Sequence, residues 1–323
     1  MNILVTGGAG FIGSHLCEKL SEKGIHQIFC LDNFNDFYDP NIKRQNIDNL
    51  LNKNHFTLFE SDITDYDKLE MIFSKYSFDV IIHLAAMAGV RPSIENPLLY
   101  TNVNINGTNH LLELAKEFKI SNFIFGSSSS VYGENEKIPF SEDDNVDYPI
   151  SPYAATKKTG ELLCHTYYHL HKINITCLRF FTVYGPRQRP DLAIHKFTRL
   201  ISEGVAIPFF GDGSTKRDYT YVDDIIDGVI KSIDWLTVKT EPVYSIFNLG
   251  ESQTVTLNQL VALIEKALDQ KAIIKQLPNQ PGDVPITYAN IDKAVKYLGY
   301  NPKTKIEEGI PKFVKWFKEL NSL

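Results

Sequence analysis

The sequence predicts an α/β protein built on a doubly wound parallel sheet, with a smaller, mixed α/β substrate domain. Short apolar runs rich in β-branched residues alternate with longer amphipathic runs through the first 180 or so residues. A glycine-rich turn follows the first apolar run directly, at residues 7–13. After Gly185-Pro186 glycine, proline and charged residues become denser, which is typical of loops that shape a pocket.

The elements follow from the spacing of apolar residues, taken in order along the chain. The predicted strands span about 2–6, 26–31, 56–60, 79–84, 122–126, 174–180 and 244–250; the predicted helices span about 11–23, 41–52, 66–76, 97–118, 152–171 and 257–268. Parallel strands of this kind bind ligands at their carboxyl ends. We expect residues 1–182 plus about 217–249 to form a cofactor-binding domain, and about 183–216 plus 250–323 to form the substrate domain.

Composition limits the possible classes of function. The chain has 323 residues, 43% hydrophobic residues and a net charge of −6, which is typical of a globular protein and disfavours nucleic acid as a partner. Apolar runs are too short for a membrane span, and a strand directly after Met1 predicts no signal peptide, so we expect a cytoplasmic protein. The dispersed Cys17, Cys30, Cys164 and Cys177 indicate reduced core thiols rather than disulfides or a metal site.

Gly7, Gly10 and Gly13 form a GxxGxxG pattern between the first strand and the first helix. Glycines in this context allow a tight turn, let backbone amides approach a pyrophosphate and let the helix pack closely on the strand. Asp32, at the end of the second strand, can accept hydrogen bonds from ribose hydroxyls and repels a 2′-phosphate. The pattern therefore favours NAD over NADP, the alternative being a structural turn with an unrelated aspartate.

Residues after the next strands extend the predicted cofactor site. Asp62-Ile63 could hold the adenine edge, although Asp62 could equally cap a helix. Leu84-Ala85-Ala86 are small enough for a backbone that passes close to a cofactor, or they serve packing alone. Together with the residues above, the predicted cofactor set includes Phe11, Ile12, Asn33, Asn104, Tyr153 and Lys157.

A second constellation predicts proton transfer. The run at 122–125 ends in four serines, and Ser151-Pro152 then opens a helix that carries Tyr153 and Lys157 on one face, at positions i and i+4. A tyrosine needs positive charge nearby to act as a base near neutral pH, and we expect Lys157 to supply it. The alternative is that Tyr153 packs in the core and Lys157 is solvated.

The segments TGGAGFIGSHL, LAAMAGV, NINGTNHLLELA, SSSSVYG, SPYAATKKTGE and RFFTVYGPRQRPD, in this order, resemble those of an extended short-chain dehydrogenase/reductase, and more narrowly of the nucleotide-sugar epimerases. The resemblance covers essentially the whole chain. It implies a Rossmann domain, tightly bound NAD, a UDP-sugar substrate and often a dimer formed by the helices at about 97–118 and 152–171. It also implies that Ser128, Tyr153 and Lys157 are catalytic and that Asn104 is structural.

The substrate class is inferred from the residues beside Ser128. The 4,6-dehydratases of this superfamily carry an acid before the VYG motif, whereas this chain has Ser129-Ser130 there, which disfavours dehydration. Ser129, Ser130 and Thr182 offer hydroxyls suited to a carboxylate, the alternative, for Ser130 above all, being a polar strand end capped by water. FFTVYGPRQRPD and DNFNDFYDPNIK resemble the UDP-glucuronate 4-epimerases. We expect 4-epimerisation through a 4-keto intermediate; a UDP-glucuronate decarboxylase, an epimerase of neutral or N-acetylated UDP-hexoses and a non-catalytic NAD-binding protein remain alternatives.

Further residues are candidates for holding the rest of a UDP-sugar. The resemblance implies that Arg189 and Arg217 bind the diphosphate. Arg91 reaches the substrate or anchors its own loop, and Phe210 forms a wall of the uracil slot or belongs to the core. Asp283 completes the set, in a QPGD segment that lacks the arginine found before Gly-Asp in glucose-specific relatives.

Overall fold

The computed structural model describes residues 1–22, 24–278 and 284–321, and its centre is a seven-stranded parallel sheet. The strands of these residues are β1 (Asn2–Thr6), β2 (Gln27–Asp32), β3 (Phe56–Glu60), β4 (Val80–His83), β5 (Asn122–Ser128), β6 (Asn174–Phe180), β7 (Thr182–Tyr184), β8 (Ile207–Phe210), β9 (Lys216–Tyr221), β10 (Tyr244–Leu249), β11 (Thr254–Thr256) and β12 (Ile274–Leu277). The central sheet has the order β10-β6-β5-β4-β1-β2-β3. Because this order reverses between β1 and β4, a crevice opens at their carboxyl ends.

Helices cover both faces of this sheet. The α-helices of the described residues, some of which pack on the smaller sheets described below, are α1 (Phe11–Glu22), α2 (Pro40–Leu51), α3 (Tyr66–Lys75), α4 (Val90–Glu95), α5 (Pro97–Thr101), α6 (Gly107–Glu117), α7 (Pro152–His171), α8 (Ala193–Ser202), α9 (Val222–Thr237), α10 (Leu257–Leu268), α11 (Asp292–Leu298) and α12 (Ile306–Leu320). Strand β1 shows why two layers form: Ile3 and Val5 enter one hydrophobic cluster and Leu4 the other, all without exposed surface. Successive strand residues point to opposite faces, so both faces need cover. The predicted fold class is confirmed.

The helix predicted over 97–118 is wrong in detail, because the structure divides it. A π-helical turn at Asn102–Asn106 separates α5 from α6. The Asn104 side chain accepts a hydrogen bond from the Met87 backbone amide at 2.8 Å and donates to Thr156 Oγ1 at 3.0 Å. One extra residue in the turn directs Asn104 toward these partners, and apolar periodicity carries no signal for such an insertion.

The segments after β6 build two smaller sheets beside the crevice. Strand β9 pairs in parallel with β7 and antiparallel with β11, and β8 pairs in parallel with β12. Asp218 on β9 ties three segments together, since its buried carboxylate accepts the amides of Glu251 (2.8 Å), Ser252 and Ala289 (both 3.1 Å). The small sheets agree with the predicted fold class, although β9 and Asp218 belong to the stretch 217–249 that the sequence assigns to the cofactor-binding domain.

A buried ion pair joins α7 to β6 beneath the crevice. Arg179 donates to both carboxylate oxygens of Glu161, at 2.8 and 2.9 Å, and both side chains are 1% exposed. Arg179 also donates to the Tyr132 hydroxyl at 3.0 Å, which in turn donates to Asn248 Oδ1 at 2.6 Å. Ser127 donates to Glu161 Oε1 at 2.7 Å. The network fixes the end of β5 against α7, where the predicted catalytic residues lie.

Two findings bear on the predicted environment of the protein. The four cysteines are buried and form no disulfide, as the sequence predicts. Among residues 1–22, 24–278 and 284–321, no helix is long and apolar enough to cross a membrane.

Removing one charge of the buried pair should destabilise the protein strongly. We expect Glu161→Gln to lower the free energy of unfolding by about 3–5 kcal/mol, because Arg179 stays buried without a compensating charge. Denaturant titration with near-UV circular dichroism measures the change. Glu203→Gln, which removes the exposed partner of Arg199, is the matched control and should cost under about 0.5 kcal/mol. Equal effects of the two variants would contradict the role given to the pair.

Candidate active site

A cavity of about 730 Å³ opens at the carboxyl ends of the central strands. It extends from the turn after β1, past the ends of β2 and β5, to β7 and β9. The predicted site residues that line it are Gly7, Gly10, Phe11, Ile12, Gly13, Asp32, Asn33, Asp62, Ile63, Leu84, Ala85, Ala86, Ser128, Ser129, Ser130, Tyr153, Lys157, Thr182, Arg189 and Arg217. Residues predicted from distant parts of the sequence are therefore brought to one continuous cavity.

The glycine turn after β1 fits a dinucleotide. Gly7 has a positive φ of 68°, and a Cβ there would lie 2.8 Å from the Ala85 backbone nitrogen. A Cβ on Gly13 would lie 2.1 Å from the Gly7 carbonyl oxygen. Only glycine allows this approach of α1 to β1, which brings the amino end of α1 to the cavity where a pyrophosphate is favoured.

Asp32 is the last residue of β2, and its neighbour Lys43 could not be predicted from sequence spacing. Its carboxylate accepts the backbone amides of Ala9 (3.2 Å) and Phe34 (2.9 Å). The ammonium of Lys43 lies 3.8 Å from Asp32 Oδ1, donates to the Asn35 carbonyl at 3.0 Å and lines the cavity. Burial lowers the pKa of Lys43. An acceptor beside a donor matches a pair of ribose hydroxyls.

Asp62 and Asn33 form the far side of the predicted cofactor pocket. Asn33 donates to Asp62 Oδ2 at 2.7 Å, and the Thr64 amide donates to Oδ1 at 2.8 Å. These hydrogen bonds hold the pKa of Asp62 low. The side-chain cap of α3 is Asp65, not Asp62, so the helix-capping alternative for Asp62 is wrong.

Ser128, Tyr153 and Lys157 meet at the end of β5. Ser128 is the last residue of the strand, and its Oγ accepts the Ser130 amide at 3.2 Å. Ser151 caps α7 by accepting the Ala154 amide at 3.1 Å, which places Tyr153 in the first turn. The Ser128 hydroxyl lies near enough to Tyr153 to lower the pKa of that tyrosine. A tyrosine hydroxyl paired with a serine at a cavity wall can exchange a proton with a bound hydroxyl group.

The charge acting on Tyr153 differs from the expectation. Burial raises the pKa of Tyr153, while the nearby Ser128 hydroxyl and the Arg189 guanidinium lower it. Lys157 instead donates to the Gly126 carbonyl at 2.8 Å, with its ammonium 6.0 Å from the centre of the Tyr153 ring. Burial lowers the pKa of Lys157 to about 8. Arg189 thus supplies positive charge near Tyr153 at this end of the cavity. Sequence spacing does not reveal this role.

Three other candidate substrate residues, Ser130, Arg189 and Arg217, differ in their hydrogen-bond partners. Ser130 Oγ is buried and has no hydrogen-bond partner among the described residues. Arg189 is held by two hydrogen bonds to Asp191, at 2.8 and 3.0 Å, and lies over the Phe37 ring. Arg217 donates to the Lys216 carbonyl and lines the cavity.

Of the predicted site residues in the described part of the chain, three do not line the cavity: Arg91, Asn104 and Phe210. Arg91 lies over the Phe210 ring, 5.2 Å from its centre. Asn104 contacts the Met87 backbone and Thr156 instead, in keeping with a structural role. Asp283 lies outside the described residues. In the described part of the chain, no group of histidine, cysteine, aspartate and glutamate side chains could hold a metal ion.

The sheet order, the glycine turn and the serine, tyrosine and lysine at the cavity define an extended short-chain dehydrogenase/reductase. A family model described as GDP-mannose 4,6 dehydratase matches residues 4–313. The chain belongs to this family.

Relatives within the family have narrower names. A UDP-glucuronate 4-epimerase of Thermodesulfobacterium geofontis is 44% identical over 98% of this chain and 96% of its own. The crystal structure of the UDP-glucuronic acid 4-epimerase from Bacillus cereus, in complex with UDP-glucuronic acid and NAD, is 38% identical with a TM-score of 0.91, over 99% of this chain and all of that one. A UDP-glucose 4-epimerase of Thermotoga maritima with UDP-glucose is 34% identical with a TM-score of 0.89, over 99% of this chain and all of that one.

Proposed function

We propose that this protein is an NAD-dependent isomerase that interconverts UDP-glucuronate and UDP-galacturonate by inverting C4. The observation that carries the proposal is the run Ser128, Ser129 and Ser130, which lines the cavity with Tyr153 and in which the buried Ser130 hydroxyl has no hydrogen-bond partner among the described residues. An unsatisfied buried hydroxyl is costly unless a ligand completes it. The relatives named for UDP-glucuronate support the same substrate.

The dinucleotide fits the first part of the cavity, where Gly7, Gly10 and Gly13 admit its pyrophosphate and Asp32 and Lys43 its ribose. Bound there, NAD supplies a hydride acceptor for the oxidation of C4 and a donor for the return. The proposed cofactor-binding domain comprises residues 1–182 and about 217–249. The proposed domain for the UDP-sugar comprises about 183–216 and 250–323.

Tyr153 takes the proton from the C4 hydroxyl and later returns it. Ser128 shares the hydrogen bond to that oxygen, and Arg189 stabilises the tyrosinate because its positive charge lowers the pKa of Tyr153. Lys157 keeps Gly126 in place through its carbonyl hydrogen bond and adds positive charge to the site. The sugar must turn between the two half-reactions, so that the hydride leaves one face of C4 and returns to the opposite face.

A 4-keto glucuronate is a β-keto acid and can lose CO₂, so an epimerase must hold its carboxylate. We assign this task to the hydroxyls of Ser129, Ser130 and Thr182. Hydrogen bonds that keep the carboxylate near the ring plane prevent the breaking bond from aligning with the ketone π system. Arg217 is assigned to the diphosphate. Arg189, for which the resemblance also implies the diphosphate, is assigned instead to the sugar side of the cavity, because its charge acts on Tyr153.

We further propose a homodimer formed by α5, α6 and α7. Leu98 on α5 is 83% exposed, and Leu162 and Leu170 on α7 are 55% and 62% exposed. Exposed leucines on neighbouring helices indicate an interaction surface. The cytoplasmic location expected from the sequence remains a prediction.

The reaction is tested by the product. Incubated with UDP-glucuronate, the purified protein should give UDP-galacturonate, identified by mass and proton NMR. Tyr153→Phe should lower kcat by roughly 10²–10⁴-fold, because the acid–base group is lost while the ring still packs. Tyr148→Phe, at a tyrosine that is 79% exposed, is the control and should match the unaltered protein. UDP-xylose or a 4-keto pentose as main product would favour a decarboxylase, and equal turnover of UDP-glucose would favour a neutral-sugar epimerase.

The proposed binding of the sugar carboxylate by serine and threonine hydroxyls is tested by removing two of these hydroxyls. Ser130→Ala combined with Thr182→Val should lower kcat/KM for UDP-glucuronate by roughly 10²–10⁴-fold, because hydrogen bonds to a charged group contribute about 1.5–3 kcal/mol each. The share of decarboxylated product should rise, which mass spectrometry of the reaction mixture measures. Ser121→Ala, at the opposite end of β5, is the control. An unchanged product ratio together with unchanged kcat/KM would refute the assignment.

The dimer is tested by sedimentation velocity. The unaltered protein should sediment with the mass of two chains, and Leu162→Glu should give single chains because a charge is placed in the apolar contact. Val238→Glu, at an exposed position after α9, should leave the dimer intact. A single-chain mass for the unaltered protein would contradict the proposal.

A further inference from the structure

A buried histidine lies behind the cofactor wall and takes no part in the chemistry above. His83 is the last residue of β4, is 1% exposed and has both ring nitrogens in hydrogen bonds. Nδ1 lies 2.8 Å from Thr6 Oγ1, and Nε2 lies 2.9 Å from Thr108 Oγ1. The two threonines are themselves buried. A buried side chain with two side-chain partners on different elements fixes the distance between those elements.

The direction of each hydrogen bond in this chain can be deduced. Thr108 Oγ1 donates its proton to the Asn104 carbonyl at 2.6 Å, so toward His83 it can only accept. His83 Nε2 therefore carries a proton. In a neutral ring Nδ1 is then an acceptor, and Thr6 Oγ1 donates to it. The Thr6 oxygen in turn accepts the Ala85 amide at 3.3 Å.

Both ends of this chain belong to the active site. At one end, Ala85 forms the cavity wall against which Gly7 packs. At the other end lies the π-helical turn Asn102–Asn106, whose Asn104 side chain donates to Thr156 Oγ1. Thr156 Oγ1 donates to the carbonyl of Tyr153 at 2.9 Å. The cofactor wall and the catalytic helix α7 are thus joined through one imidazole.

We infer that His83 is a positioning residue: as the neutral Nε2–H tautomer, it holds the wall at Ala85 and the π-turn at Asn104 at a fixed separation, and so sets the distance from the cofactor to Tyr153. The opposite tautomer would place two acceptors, Nε2 and Thr108 Oγ1, against each other. Burial and the nearby Lys157 lower the pKa of His83 to about 3, which keeps the ring neutral.

The tautomer is tested by NMR on the NAD-bound protein with ¹⁵N-labelled histidine. The chain has nine histidines, and the His83 signals are those lost in His83→Gln. We expect the Nε2–H tautomer, unchanged between about pH 6 and 8.5. An Nδ1–H tautomer, or an imidazolium at neutral pH, would overturn the inference without any assay of activity.

The positioning role is tested at Thr108, which touches neither the proposed cofactor nor the sugar. Thr108→Val keeps the shape but removes the hydroxyl, whereas Thr108→Ser keeps the hydroxyl. We expect Thr108→Val to speed NAD dissociation and to lower kcat by roughly tenfold or more, with KM for UDP-glucuronate changed by less than about threefold. For Thr108→Ser, the rate of NAD dissociation, kcat and KM should each stay within about threefold of the values of the unaltered protein.

Two outcomes would refute the role. Thr108→Val with NAD dissociation and kcat within about twofold of the unaltered protein would show that the hydrogen bond positions nothing that matters. A Thr108→Ser variant as impaired as Thr108→Val would assign the effect to the lost methyl group. The kcat and KM readouts rest on the proposed function; NAD dissociation and the tautomer need no sugar, so a failure of the proposed substrate leaves those two readouts intact.

Discussion

The buried pair of Arg179 and Glu161 is the interaction on which the arrangement of the site depends. Glu161 lies one turn after Lys157 on α7, and Ser127 donates to it from the strand that ends in Ser128. Through Arg179 the same pair reaches Tyr132, in the 3₁₀ turn that carries Ser129 and Ser130. A charge pair of this kind is costly to bury and does not by itself favour folding. What it supplies here is one fixed position for the strand end, the serine turn and the catalytic helix relative to each other.

With those elements fixed, the chemistry follows from which charges face Tyr153. Burial alone would leave its pKa too high for a base at neutral pH, so the hydroxyl of Ser128 and the cation of Arg189 act against burial. Lys157 contributes through structure as much as through charge, because it holds the Gly126 carbonyl. The positively charged nicotinamide ring expected beside Tyr153 would lower its pKa further. A tyrosine of this kind is activated by the assembled site rather than by one neighbour on its own helix.

Much of the fold and of the site could be predicted from the sequence, and the parts that could not be predicted share a physical reason. Apolar periodicity reports burial, so the seven central strands and the helix over 152–171 were predicted within a residue or two. Local spacing places Tyr153 and Lys157 on one helical face. The glycine turn could be predicted because a side chain at Gly7 or Gly13 would clash with the backbone nearby. Lys43, His83 and the charge of Arg189 on Tyr153 depend on residues brought together by tertiary packing, which leaves no periodic trace. The π-turn at Asn104 was missed because its hydrogen bonds, rather than apolar packing, select it.

The central claim is that C4 is oxidised and reduced within one site while the rest of the sugar is held unreacted. Turnover of UDP-glucuronate in D₂O tests this most directly, with the carbon-bound deuterium of the product measured by mass spectrometry and proton NMR. The account predicts UDP-galacturonate without deuterium at C4 or C5, because the hydrogen removed from C4 returns to C4 and the held carboxylate keeps C5 from enolising. Deuterium at C4 would mean that the hydrogen exchanges with solvent, and deuterium at C5 would mean inversion through an enol. Either result would contradict the account.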